Sequence, residues 1–483
     1  MGLSSDVYKA LAEDKNCRQA IGVEYTVQPD TVYFTDVTGT PYTLRNNTGA
    51  APTSAEEEAR ALMTMHQLRT AWFAHIRQPI DTLGVKYMVL MKDISRMVPI
   101  QKEREQKRRD EAAQGKGGKA ISLTKLSKPK PVVYPEGTTI TMEGVTEPGK
   151  PLNPVIDMRR IAITRGATKA QYWDLIFTFT STYNEWPEGV VVIFDIKLEG
   201  PCFINTRGYN PFAPTTSWRY KVIHELQHFF GEGDLMMPYW LWLFRDQPNI
   251  LIDTNDGDQL IIMLNYLNHV RGLHKHKQVI LQRAKNTAYN NSKADAVVYV
   301  DLLKLYEAIG PARIAGFQAL AIMSGTDFVE KKTVTPGIGA EYIFEYALRE
   351  GANIRPFDLY PLLCNVKHVG YDDDEKEDLI PIWEPQMCHE GWMTSKRNHV
   401  PVTSISKEAM KVAREYVKAI QLKLYESYKK DKGRKAAMPE LSKGTIQMIA
   451  FNIEYWNPHL RNIARLASQE IERITKAKEG AMV

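Results

Sequence analysis

Apolar positions along this chain follow two periods, one near two residues and one near 3.6. Short β-branched and aromatic runs that end in turn material predict strands at 31–35 (TVYFT), 85–91 (VKYMVLM), 189–195 (GVVVIFD), 220–223, 250–252, 277–281 and 296–300. Helical spacing fills the intervals. Ser54 and Glu57 form a capping-box pair ahead of an apolar face made by Leu62, Met65, Trp72, Phe73 and Ile76. Residues 235–244 read as a strongly apolar helix, with Pro238 tolerated near its first turn. Further helices are expected at 168–183, 301–308, 312–323 and 340–350, and in a C-terminal part at 409–424, 442–455 and 459–476. Strands alternating with helices predict an α/β fold with a mostly parallel sheet.

Three stretches break the pattern. Residues 99–113 (PIQKEREQKRRDEAA) make a charged helix with almost no apolar stripe, which is solvated or touches a polyanion. Residues 114–153, rich in Gly, Lys and Pro, read as a clamp-like insertion with a hairpin around 138–144. Residues 200–219 read as a loop, and 364–400 are irregular with an acidic run at 372–377.

Composition narrows the class. A chain of 483 residues suggests two or three domains, and a net charge of +5 permits a polyanionic partner. The most apolar run, near 236–244, is too short to cross a bilayer, and the first twenty residues are polar and charged, unlike a signal peptide. Met1-Gly2 is followed by Asp6 where a myristoylation signal wants Ser or Thr. Four scattered cysteines favour a reducing, intracellular compartment, cytoplasm or nucleus.

The candidate chemistry lies in carboxylates. Asp36, Asp93, Glu232, Asp234, Asp256, Asp258 and Asp327 all follow predicted strands or helices. In α/β sheets, sites form where strands end. Read singly, each acid is a solvated or capping carboxylate. Clustered, they require cations, because each raises the pKa of the next. Oxygen-ligated Mg²⁺ or Mn²⁺ suits them, and two such ions roughly 4 Å apart are the usual device for cleaving a phosphodiester.

These motifs, in this order, resemble the 5′ nuclease superfamily, which contains the 5′→3′ exoribonucleases of Xrn type and the flap endonucleases. PDTVYFTDVTGTPY resembles the Xrn amino terminus, with Asp36 as first metal acid. VKYMVLMKDISRMVPIQKEREQKRR resembles the strand, acid and basic helix, with Asp93 second and Ile94 in place of the usual glycine. VIHELQHFFGEGD resembles the G-E-G-E block through Glu232 and Asp234, with Asp for the second Glu. ILIDTNDGDQLIIM carries the D-x-D pair as Asp256 and Asp258, and MSGTDFVEKKTVTPGIG carries Asp327. Gly337 and Gly339 match a P-G-I-G helix-hairpin of the flap endonucleases. The likeness covers about 1–110 and 215–350.

The resemblance implies a PIN-like core (1–93 and 186–330), an arch over the acids (94–185), a helix-hairpin nucleic-acid contact (331–362) and a helical C-terminal region (363–483). It implies two Mg²⁺ or Mn²⁺ ions held by the seven acids, and a single-stranded RNA or DNA substrate with a free 5′ end. Lys102, Gln106 and Arg109 take the 5′-phosphate positions and fall on one helical face. Tyr42 stands where the family stacks a base with histidine. The function implied is metal-dependent 5′→3′ exonuclease action on 5′-monophosphorylated RNA. A flap-endonuclease-like DNA 5′ nuclease and a nucleic-acid scaffold with a weakened site are the alternatives.

Two other metal signals compete. His224-Glu225-Leu226-Gln227-His228 is a literal HExxH, the zinc protease motif. It needs a helix and a third ligand, whereas Val222, Ile223 and the glycines at 231 and 233 favour strand and loop. Cys364, His368, Cys388 and His389 have a spacing that fits no standard zinc pattern.

Overall fold

The structure is a computed structural model that describes residues 6–44, 61–92, 132–164, 166–195, 202–205, 233–254, 256–284, 297–326, 329, 331–357, 407–433 and 436–456. Its centre is a mixed sheet of seven strands. They are β1 (Val32–Asp36), β3 (Tyr87–Met91), β7 (Val191–Asp195), β8 (Cys202–Asn205), β9 (Asn249–Asp253), β10 (Gln278–Ala284) and β11 (Val297–Asp301). The order is β11-β10-β9-β1-β3-β7-β8, and the five inner strands run parallel while β8 and β11 close the edges antiparallel. The chain is thus α/β, as the alternation of patterns implies.

The inner strands are buried on both faces, so they read as continuous apolar runs rather than alternating ones. Period two still sorts their side chains. Val32, Phe34, Val89, Met91, Ile250 and Ile252 face one core. Tyr33, Met88, Leu90, Val192, Phe194 and Leu251 face the other.

Helices cover each face. α1 (Asp6–Glu13) precedes β1, and α2 (Thr40–Leu44) follows it. The crossover from β1 to β3 carries α3 (Met65–Leu83), on the Tyr33 face. Between β3 and β7 the same face receives α4 (Met158–Ile163) and α5 (Gly166–Thr182). The opposite face receives α6 (Gly233–Leu243) and α7 (Asp258–His269). It is extended by α8 (Leu302–Ile309), α9 (Pro311–Met323), α10 (Lys331–Val334), α11 (Ala340–Glu350), α12 (Lys407–Lys432) and α13 (Lys443–Trp456). After β1 the chain moves one way along the sheet to β3 and β7, then returns to the other side of β1 to lay down β9 and β10. The strand order therefore reverses between β1 and β9. That switch point opens a crevice at their C-terminal ends, where α3 and α6 diverge to opposite faces.

Several local expectations are corrected. α3 begins at Met65, and its capping box is Thr64 with Gln67. Ser54 and Glu57 lie outside the described residues. Leu62 belongs to a short strand, β2 (Leu62–Thr64), paired with β6 (Val155–Asp157), and it is exposed rather than part of the helix face. Part of the expected 200–219 loop is β8. α6 starts at Gly233, two residues before expectation, so Pro238 falls past its first turn. The hairpin near 138–144 is β4 (Thr139–Ile140) with β5 (Val145–Thr146).

Of the segment 94–185, residues 93–131 lie outside the described residues. Its second half is core: α5 buries Tyr172, Trp173, Ile176 and Phe179 in the cluster that holds Trp72 and Phe194. Trp72 is fully buried, and its indole N–H donates to the Thr180 hydroxyl at 2.9 Å. This packing joins 166–182 to the sheet rather than to an arch. Trp72→Phe is expected to lower the unfolding free energy by about 1–2 kcal/mol, from lost volume and a lost hydrogen bond. A urea melt followed by circular dichroism reads this directly. Among the described residues, no helix is long and apolar enough to cross a membrane.

Candidate functional site

β1 ends in Asp36 because an apolar strand meets the sheet edge there and turns. The Asp36 Oδ1 accepts the Thr38 N–H at 2.8 Å, which fixes the carboxylate at the strand end. Asp234 stands in the first turn of α6, where carboxylates favour the helix dipole. Gly233, just before it, lies so close to Asp36 that an added Cβ would sit 2.9 Å from the Asp36 carboxyl carbon. Asp256 follows β9. Its N–H is accepted by Thr254 Oγ1, and its Oδ1 accepts the Asp258 N–H at 3.1 Å, so it also caps the start of α7.

Asp36, Asp234 and Asp256 line one cavity of about 760 Å³, between α3 and the C-terminal ends of β1 and β9. Three acids from distant parts of the chain meet at the switch point. Their oxygens are not drawn into one tight trio. Among the described residues, three carboxylates with oxygens within 4.8 Å of one another occur only at Glu13, Glu341 and Glu345, on the outer surface. There Lys9 already pairs with Glu341 at 2.9 Å. The cavity acids carry the hard oxygen donors that Mg²⁺ or Mn²⁺ takes.

The other expected positions are placed as follows. Asp258, the first residue of α7, is buried and does not line the cavity. It lies within electrostatic reach of Tyr8, whose ring stacks under Arg283 at 3.9 Å. Asp93, Glu232 and Asp327 lie outside the described residues, as do Lys102, Gln106 and Arg109. The HExxH stretch and Cys364, His368, Cys388 and His389 lie outside them too. The strand leading to Asp93 ends at Met91, which pairs with Asp36 on one side and Asp195 on the other. Tyr42 belongs to α2, and its side chain is outside the description. Gly337 has φ +81°, as a turn glycine should, but Gly339 has an ordinary φ of −67° as the N-cap of α11. Neither lines the cavity. Their turn is braced by α12, which sends the Tyr425 hydroxyl to the Pro336 carbonyl and the Gln421 amide to the Val334 carbonyl.

Three groups in or beside the site were missed by sequence reasoning. Asp253, the last residue of β9, lines the cavity and accepts the Tyr33 hydroxyl at 2.6 Å. Burial raises its pKa, against the opposing pull of that hydrogen bond and of His75. His75, on α3, lines the same cavity, and burial lowers its pKa. Asp195 ends β7, level with Asp36 two strands away, and is fully buried. Its Oδ2 accepts the Trp240 indole N–H at 2.7 Å. Burial pushes its carboxyl up to about 7, the indole bond opposing. The available signal was simple: Asp195 and Asp253 end strands just as Asp36 does.

The Asp195 shift has a stability consequence. A carboxyl whose folded pKa is raised binds its proton more tightly in the folded chain. Its contribution is therefore complete below the unfolded value near 3.9, and is lost as pH rises toward 7. Asp195→Asn, which keeps an acceptor for Trp240, should stabilise the protein at pH 8 by up to about 4 kcal/mol and have little effect at pH 4. Urea midpoints of both proteins at the two pH values check it.

No protein-family model matches this chain, and no curated protein matches it. The fold and site by themselves define an α/β protein with a carboxylate-rimmed cavity at the switch point of its sheet.

Proposed function

We propose that this chain is a divalent-metal-dependent nuclease with a PIN-like, 5′ nuclease core, acting 5′→3′ on 5′-monophosphorylated single-stranded RNA. The observation that carries the reading is the meeting of Asp36, Asp234 and Asp256 in one cavity at the C-terminal edge of a parallel sheet. It is supported by the order of the acid motifs in the sequence. Two Mg²⁺ or Mn²⁺ ions, when bound, would acidify the attacking water and offset charge on the leaving oxygen. The protein's part is to hold the carboxylates in place. The Thr38 N–H orients Asp36, and the first turn of α7 orients Asp256. α6 presents Asp234 from the opposite face of the sheet. Lys102, Gln106 and Arg109 would receive the terminal phosphate, which carries close to two negative charges near neutral pH.

The test is cleavage of 5′-labelled RNA, single-stranded DNA and flap DNA, with and without EDTA. Mononucleotides should be released from 5′-phosphorylated RNA only when Mg²⁺ or Mn²⁺ is present. A 5′-hydroxyl should slow the reaction, and Arg109→Ala should shrink that preference. Equal rates on both ends, or rapid cutting of circular strands, would move the protein to the flap endonuclease type.

A further inference from the structure

The cavity behind the acids is larger than ion binding requires. At about 760 Å³ it falls within the range of small-molecule pockets, roughly 300–1,000 Å³. It lies between α3 and the strand ends and is open to solvent, with Ala74, His75 and Gln78 exposed along it. Its two ends differ. Asp36, Asp234 and Asp256 line it at the strand ends, whereas Tyr33, His75 and Asp253 form a polar patch on the α3 side, beside Met88 and Leu90. Among the described lining residues there is no lysine or arginine to give a phosphate a counter-charge.

Asp253 dominates that patch. Its Oδ2 accepts Tyr33 at 2.6 Å, while its Oδ1 meets only the Gln282 amide, at 3.4 Å. The second contact is beyond the usual N–H···O range of about 2.7–3.2 Å. Each carboxylate oxygen can accept twice, so Oδ1 has room for a ligand N–H. His75 adds a flat ring and a second polar edge.

We infer that this chamber is a nucleobase pocket, in which Asp253 accepts an N–H from the amino-bearing edge of the base. The inference rests on the nuclease reading for its place in the reaction: the base would belong to the nucleotide whose phosphate lies at the acid rim. The metal ions that the acids would hold set that orientation, with the phosphate at the acids and the base on the α3 side. Cytosine, adenine and guanine carry an exocyclic amino group. Uracil has none, and its one ring N–H is flanked by carbonyl oxygens, which would face the carboxylate acceptor to acceptor.

Cytidine and uridine nearly share a shape, so they make the sharpest probe. The full chain is titrated with each in EDTA, followed by calorimetry, as wild type, Asp253→Asn and Ala74→Phe. Wild type should bind cytidine at least about tenfold tighter than uridine. Asp253→Asn, which adds a donor, should bring the two within about threefold. Ala74→Phe places a ring in the chamber from α3 and should abolish binding of both. RNAs differing only in the 5′-terminal base should show the same order in kcat/KM. If nucleosides do not bind, or bind alike to all three proteins, the pocket is refuted whether or not RNA is cleaved. If cytidine binding follows the expected order but every nucleic acid stays intact with Mg²⁺ or Mn²⁺, the pocket stands and the nuclease reading falls.

Discussion

Asp36→Asn should lower the single-turnover rate on 5′-phosphorylated RNA by about a thousandfold, equivalent to about 4 kcal/mol of transition-state stabilisation. The substitution keeps the shape of the side chain and an oxygen to accept the Thr38 N–H, so the turn after β1 should persist. What it removes is one ligating charge at the rim of the cavity. Without metal the variant should be as stable as wild type or slightly more so, since one of several mutually repelling carboxylates is gone. Asp256→Asn should behave alike, because an asparagine can still accept the Asp258 N–H and cap α7. His224→Ala should cost far less. If His224→Ala abolished activity and casein were cleaved with zinc, the HExxH reading would replace this one. Asp36→Asn activity within about threefold of wild type would end the metal-cage hypothesis.

The sheet was legible because its strands are buried on both faces. β1, β3, β7 and β9 are short β-branched runs with turns behind them, and their positions agree with the pattern within two residues. β8 was hidden because four residues of strand inside a Gly, Pro and Asn-rich stretch give no period to read. α3 starts later than the spacing implies because Thr64 and Gln67 carry the same capping chemistry as Ser54 and Glu57, which lie outside the described residues. Ala71, Ala74, His75 and Gln78 form a small and polar stripe at helical spacing on α3. The structure turns that stripe toward the cavity. Asp253 and Asp195 have no counterpart in the motifs that carry the resemblance, although all strand-end acids have the same physical claim.

Gly233→Ala should separate stability from activity. Gly233 opens α6, and its φ is not positive, so the backbone there admits an alanine. Propensity alone favours the change, since alanine exceeds glycine in a helix by up to about 1 kcal/mol. Geometry opposes it at one point only. The new Cβ would lie 2.9 Å from the Asp36 carboxyl carbon and 3.1 and 3.2 Å from its oxygens, where about 3.5–4.0 Å is the normal separation of carbon atoms. Asp36 cannot swing aside freely, because its Oδ1 is held by the Thr38 N–H. Either Asp36 or the first turn of α6 with Asp234 must move by a sizeable fraction of an ångström. Misplacement on that scale can cost about a hundredfold in rate. The expected result is a ten- to hundredfold fall in kcat with weaker apparent Mg²⁺ affinity, and a thermal midpoint unchanged or raised. Gly444→Ala, in the first turn of α13 with no heavy atom nearer than 3.8 Å, is the matched control and should leave both activity and metal affinity alone. If Gly233→Ala kept wild-type kcat and metal affinity, the Asp36 carboxylate would not be the fixed ligand that this geometry requires.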